Sequence, residues 1–387
     1  MLIDMFSINK FHIEVYNSIE DIDAYTWNET LSQAHPFKTH SFMAACEQTL
    51  PHREYRYFQV FASNLRSSSL GLFFATQESI DLISDPHSAL QSQIQKFCPK
   101  FGCITAAMIG SYETSGRHWW FSHEITPQQR ITIINHSLAL SFPRAFVRII
   151  RDVEHKETDY AALHSQLLAQ GFNPAMNYPL AFIPLQGRSW EQYSRNLKAN
   201  CRKVLNRIKS QFHQSGWRIV HYYEQPVELE GFYEQYLNTH RRASEYKRKA
   251  LPLSFFEQVQ KQCQVVVSVL YDKQDQVRSF IFSGISENII NPFVFGRNYQ
   301  EESEVNSYYI LHMDLIQRFS HFQTKIIDLG ITNYFVKQNL GACLLHNDIY
   351  MKFRNPLFNS LFGRILAKKF DVTQPKERRV FKNDDKH

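Results

Sequence analysis

No stretch of this chain approaches the roughly 20 consecutive apolar residues that a membrane-spanning helix needs, so none is expected. Glycine is scarce, 13 in 387 residues beside 31 Phe and 19 Tyr, which describes a densely packed globular chain and excludes extensive disorder. The six cysteines (Cys46, Cys98, Cys103, Cys201, Cys263, Cys343) are scattered. Only Cys98 and Cys103 are close, and their spacing fits no common zinc pattern. The opening MLIDMFSINKFHIEVY has no sustained apolar core, so the chain is read as cytoplasmic and reduced. There is no Gly-x-Ser-x-Gly elbow and no His-Glu-x-x-His helix, which removes the commonest serine-hydrolase and zinc-hydrolase readings, and no metal is expected.

What is present is a mild positive charge, net +6, with 21% charged residues. That suits an anionic partner such as a nucleotide-bearing donor, an RNA end or a membrane surface; nothing in the pattern points to DNA. The length favours two domains. In the first half, FHIEVY (11–16) alternates as a strand, RYFQVFA (56–62) and LGLFFA (70–75) read as a hairpin, and AFVRII (145–150) as another strand. Helices are expected after Ser18, from Ser41, at 87–97, at 127–140, and at 160–170, the last closed by Gly171. The theme restarts at Tyr178: strand LAFIPL, a long helix, strand RIVHYY (218–223), helices from about 227 and at 253–263, then a meander through VVVSVLYD, SFIFSGI and PFVFG. Boundaries follow at 1–177 and 178–360, with 361–387 a basic, polar tail.

The segment from Phe293 to Pro356 carries the chemistry-bearing pattern. Strand IIDLG ends in Asp328 and Gly330, a helix carries Lys337 and closes on Leu340–Gly341–Ala342, and a second strand runs from Asp348 to Lys352. Strand ends of this kind, beside a helix start, expose backbone N–H groups to anions; an ordinary strand–turn–helix joint is the alternative. Asp328 could orient or deprotonate an amine, or cap the following turn. Lys337 could meet a phosphate or carboxylate, or sit exposed on its helix. Arg297 could bind the same anion or pair with Glu301 or Glu302. Tyr299, Tyr308 and Tyr309 are proton-donor candidates, with core packing the competing role. His240, Arg241 and Arg242 form a further basic cluster, of which at most two can face one ligand.

Residues 190–212 read as a single helix behind the N-cap Ser189. Trp190, Tyr193, Leu197, Cys201, Val204, Leu205, Ile208 and Phe212 form its apolar stripe, and Arg195, Lys198, Arg202 and Lys209 gather on one flank. Like charges so placed repel, so the flank is either a rail for an anionic ligand or a plain solvated face.

In order along the chain, residues 18–49, 167–217, 232–259 and 293–342 (FVFGRNY…IIDLGITNYFVKQNLGA) resemble successive signatures of the FemAB-like branch of GNAT-type acyltransferases, a branch that includes peptidoglycan biosynthesis and recognition proteins. The resemblance implies an α+β chain of two tandem GNAT-like domains, each a mixed central sheet flanked by helices. The activity it implies is transfer of an acyl or aminoacyl group from acyl-CoA or aminoacyl-tRNA to an amine of an envelope precursor or small metabolite. It also supports Arg202 and Lys337 as substrate-binding residues; Arg195, Lys198, Arg242, Arg297 and Gly341 complete the candidate binding set, with Asp328, Tyr299 and Tyr309 the catalytic candidates. The chain departs from the pattern in two places. ATQESIDLISDPHSAL replaces the polar, glycine-bearing strand expected after Phe74, so the first half reads as shortened and structural. The Arg/Gln-x-x-Gly-x-Gly/Ala pyrophosphate loop is missing, which leaves the donor open between thioester and tRNA ester. A non-catalytic scaffold that binds envelope precursors, and a peripheral membrane protein held by its basic tail, are the competing readings.

Overall fold

Two β-sheets, each with its own hydrophobic core, account for most of the chain. The computed structural model describes every residue except 1, 9, 33–34, 64–68, 82–102, 186, 224–228, 244, 246–247, 300–304, 321–323 and 383–387. The helix expected at 87–97, and Glu301 and Glu302 as partners of Arg297, lie outside the described residues. The first compact unit comprises residues 1–31, 50–177 and 346–373; the second comprises 32–49, 178–345 and 374–387. The chain therefore does not divide into consecutive stretches, although one crossing falls at the expected 177/178 boundary.

Unit 1 contains β1 (Leu2–Ile8), β2 (Phe11–Tyr16), α1 (Ala24–Trp27), β3 (Glu54–Ala62), β4 (Gly71–Asp81), β5 (Cys103–Ile109), β6 (Trp119–Phe121), α3 (Pro127–Ser141), β7 (Val147–Glu154), α4 (Tyr160–Ala169), β8 (Asn173–Met176), β16 (Asn347–Phe353) and α11 (Pro356–Lys368), numbered in chain order. Its sheet order is β1-β2-β3-β4-β5-β7-β16-β8, with β6 paired to β4. All neighbours are antiparallel except β5 and β7, which run parallel across the crossover that carries α3. α3 starts on a reciprocal Thr126–Gln129 capping box with Pro127 in its first turn, as its sequence dictates. Past Phe74 the chain runs on as β4 to Asp81. β4 continues through ATQESID because its polar residues find partners: Thr76 donates to Gly110 O at 2.8 Å, Gln77 to Glu54 at 2.9 Å, and Glu78 lies 3.2 Å from Arg53. The strand at Asp348–Lys352 joins this sheet, as β16, rather than the second-half strands next to it in sequence.

Unit 2 contains α2 (His40–Thr49), β9 (Leu180–Pro184), α5 (Trp190–Asn196), α6 (Ala199–Ser215), β10 (Arg218–Tyr223), α7 (Glu230–Arg242), α8 (Leu253–Gln262), β11 (Val265–Tyr271), β12 (Val277–Ile285), β13 (Ile289–Arg297), α9 (Ser307–Phe319), β14 (Ile326–Gly330), α10 (Tyr334–Asn339) and β15 (Cys343–Leu345). Its sheet order, β10-β11-β12-β13-β14-β9-β15, repeats the plan: an antiparallel run, one parallel pair (β13 and β14, joined through α9), then antiparallel strands. Inward-facing Ile183, Val266, Ile281, Ile290 and Ile327 meet Ile310, Leu311 and Ile316 of α9 and Leu205 and Ile208 of α6 in one core.

The single helix expected over 190–212 is two. Leu197 leaves the helical region (ψ 142) and bridges Phe381, and Lys198 N–H donates to Val380 O at 2.7 Å. An extended contact with the C-terminal segment thus outweighs local helix propensity, and residues 374–382 pack on unit 2 with Val380 in its core.

Candidate functional site

In unit 2 the parallel strands β13 and β14 pair only at Ile289↔Ile326 and Ile290↔Ile327 and then part. Among the described residues, Asn291 to Arg297 have no strand neighbour on that side. One side chain spans the opening: Asn291 Nδ2 donates to Asp328 O at 3.0 Å. A β-bulge follows Asp328 on β14, and the turn to α10 has positive φ at Gly330 (68°), Thr332 (64°) and Asn333 (50°). For Thr332 and Asn333 this is an uncommon conformation, held by surrounding contacts. One of these is Asn333 N–H donating to Glu245 Oε2 at 3.0 Å.

Asp328 is buried, and both its carboxylate oxygens are engaged. Oδ1 accepts from Gly330 N–H at 2.8 Å, and Oδ2 lies 3.0 Å from His35 Nε2. His35 Nδ1 accepts from Phe37 N–H at 3.2 Å, which fixes the tautomer: Nε2 carries the proton and donates it to Asp328. His35 is brought here by the Pro36–Lys38 turn, whose Phe37 lies flat on the sheet. A Cβ on Gly284 would come within 2.7 Å of that ring, so the glycine makes the close approach possible. Phe42, Phe255 and Phe293 complete the aromatic seat.

Burial pushes the His35 imidazole down; its bond to Asp328 opposes this and the Lys38 charge adds to it. Burial alone would raise the Asp328 carboxyl. The His35 hydrogen bond and charge, the Gly330 N–H and the Lys337 charge together hold it below the usual carboxylate range. Lys337, 4% exposed on α10, is pushed by burial down to about 7 against the upward pull of Asp328 and Glu245, and its ammonium donates to Ile331 O. Across from it, His312 of α9 is pushed by burial down to about 3; its Nδ1–H donates to Tyr308 O at 2.7 Å and its ring stacks on Tyr308 at 4.0 Å. The cluster holds the Asp328 carboxylate with Glu245 near Lys337, two imidazoles that burial pushes down, and one amine brought down to about 7.

The other sequence candidates fall into four places. Tyr299 lies between the guanidiniums of Arg242, 4.2 Å from its ring centre, and Arg297, 5.2 Å away. Tyr309 is buried on α9, and its hydroxyl accepts from Asn339 Nδ2 at 3.0 Å, beside the end of α10. Arg195 and Lys198 are exposed, and Arg202 donates to Arg195 O and Leu197 O, closing the end of α5. No described hydrogen bond or ion pair joins these three to Asp328 or Lys337. Gly341 (φ 101°) sits under Tyr193: a Cβ there would be 2.0 Å from the Tyr193 hydroxyl, which donates to Leu340 O. The sequence reading missed His35, Glu245, Asn291 and His312. His35 is 293 residues from Asp328, and only the His-Pro step before a helix start hinted at a fixed ring there.

No family model matches this sequence, and no curated protein is detectably similar to it. Among solved structures, FemX superposes with a TM-score of 0.58 at 10% identity, over 88% of this chain and 98% of FemX. L-PGS from Bacillus licheniformis overlaps more loosely (TM-score 0.48, 12% identity, 84% of this chain and 96% of that one). So does a GCN5-related N-acetyltransferase from Sphaerobacter thermophilus (0.42, 9%, 89% and 96%). Of these three, the FemX overlap is close enough to show a fold, and at that identity it shows the fold alone: a FemX-like arrangement of two mixed sheets flanked by helices, in line with the order of segments along the chain.

Proposed function

We propose that unit 2 is an N-acyltransferase, moving an acyl or aminoacyl group from an activated donor to the amine of an envelope precursor or small metabolite. The observation that carries this is a lysine buried to a pKa of about 7 where a parallel strand pair opens. Aminolysis needs a neutral amine, a stabilised oxyanion and a proton route to the leaving group, and proximity itself contributes roughly 7–11 kcal/mol of the barrier. Neutral Lys337 takes one proton from the incoming ammonium. The freed amine forms the C–N bond as the C–S or C–O bond to the leaving group breaks. The nitrogen's second surplus proton passes to solvent, and Lys337 returns its own proton to the departing thiolate or alkoxide. Asp328, with both oxygens occupied, is a positioning residue: it stabilises protonated Lys337 and pins the turn from Gly330 to Asn333. The open edge of β13 offers amide groups to an extended donor arm, and Arg242 and Arg297 around Tyr299 suit the donor's phosphates.

The donor is acyl-CoA or aminoacyl-tRNA, no metal takes part, and both donors place the reaction in the cytoplasm. The test is turnover of the purified full chain with a panel of acyl-CoA thioesters, followed by thiol release, and with charged tRNA, followed by label transfer, each against small amines and envelope precursors. Transfer from one donor class that Lys337→Met abolishes supports the reading. Acceptor binding with no transfer from either class replaces it with the scaffold.

A further inference from the structure

The outward face of α11 in unit 1 is built as an interfacial surface. At about 100° per residue, Leu357, Leu361 and Ile365 form one stripe with Phe362 at its side; they are 75%, 67%, 60% and 48% exposed. The opposite side is fixed. Ala367 is fully buried, and a Cβ on Gly363 would meet Asn173 at 2.5 Å, so the helix lies directly on the protein. Phe358 packs edge-on against Phe146 and Phe353 and tilted against Phe362, at ring separations of 5.6, 5.3 and 5.3 Å, which ties this part of the helix to unit 1. Phe370, 42% exposed, extends the apolar face beyond the last turn.

Along α11 itself the charge has one sign; the exposed Asp371, just past the helix end, accepts from Met176 N–H at 2.8 Å. From Lys352 to Lys369 the sequence contains Lys352, Arg354, Arg364, Lys368 and Lys369 and no Asp or Glu. On the helix wheel Arg364 borders the stripe and Lys368 falls within its sector in the last turn, with Lys369 at the helix end; all three are exposed. Thirteen residues span about 20 Å, too short to cross a bilayer but sufficient to lie in its surface.

We propose that this face of α11 docks on an anionic lipid bilayer, with Leu357, Leu361, Phe362 and Ile365 among the acyl chains and Arg364, Lys368 and Lys369 at the headgroups. A second copy of the chain would bring the same uncompensated cations to the contact; a layer of anionic headgroups neutralises them. The assignment differs from anchoring by the C-terminal tail, because residues 374–382 pack on unit 2.

The test is sedimentation of the full chain with phosphatidylcholine vesicles prepared with and without phosphatidylglycerol. Binding to the anionic vesicles is expected, reduced about tenfold or more by Leu361→Glu or Ile365→Glu. The double change Arg364→Gln, Lys368→Gln is expected to cost at least about tenfold at low salt and to flatten the salt dependence. Melting temperatures should hold, since these side chains are exposed. Three results overturn the proposal: no sedimentation of wild type with either vesicle, undiminished binding of Leu361→Glu, or a wild-type dimer in gel filtration that Leu361→Glu converts to monomer.

Discussion

The two units place a histidine–aspartate pair at the same point of the same plan, where a parallel strand pair opens, but surround it differently. In unit 1, His118 Nε2 lies 2.9 Å from Asp152 on β7, Asn177 donates to the other carboxylate oxygen at 2.7 Å, and Arg151 Nε stands 3.2 Å away. Arg151 also crosses the opening to Ser111 O at 2.8 Å, as Asn291 crosses its counterpart. Both carboxylates sit beside a β-bulge, and Asp152 itself has φ 58°. In unit 1 the carboxylate is balanced by a permanent cation and the cluster is closed. In unit 2 the nearby cation is a lysine that burial has brought to about 7, so its charge is conditional. Beside the strand opening, one unit thus holds a permanent cation, while the other holds a lysine that burial brings down to about 7.

The most damaging way to probe this contrast is Asp152→Ala, which leaves the buried His118 and the half-buried Arg151 without their carboxylate. It should cost about 3–5 kcal/mol, read from urea unfolding. A loss below about 1 kcal/mol would show that unit 1's cluster is not the closed one. Lys337→Met should lower acyl transfer by about 100-fold or more while stabilising the fold at pH 7 by about 2 kcal/mol. The sign follows from linkage. Between about 7 and the ordinary 10.5 the unfolded chain binds the proton and the folded one does not, so wild-type stability rises with pH through that window. The advantage of the methionine variant should therefore shrink towards pH 10.5, and an advantage that grows with pH would contradict a buried, depressed lysine. If Arg242 and Arg297 bind the donor's phosphates as proposed, Arg242→Gln and Arg297→Gln should each raise the donor KM about tenfold with kcat nearly unchanged, because that part of the donor does not react. The smallest effect is expected of Arg195→Glu, within about 0.5 kcal/mol in stability, because its side chain is exposed.

Much of the fold was legible because period and punctuation agree. The alternation of FHIEVY gave β2, Gly171 closed α4 at φ 81°, and Ile326–Ile327 followed by Asp328 and Gly330 marked the end of β14. The break at Leu197 was not legible, because residues 190–212 keep a helical stripe and the interruption is imposed by Val380 and Phe381. The proximity of Asp328 and Lys337 could be inferred from nine residues of local sequence. The His35 contact could not, because it depends on a sheet closing against a segment from the other end of the chain.

Residue types and periodicity by themselves marked most of the strands, most helices and the polar end of β14, since these depend on neighbours a few residues away, but not the strands at Leu2–Ile8, Cys103–Ile109, Trp119–Phe121, Asn173–Met176 and Cys343–Leu345. Only the tertiary structure decided that β16 leaves the second half for the first unit's sheet and that His35 meets Asp328. It also decided that Arg202 closes a helix end and that Lys337 is stripped of water. Strand partnership and desolvation are set by atoms distant in sequence, and no local pattern encodes which of them arrive.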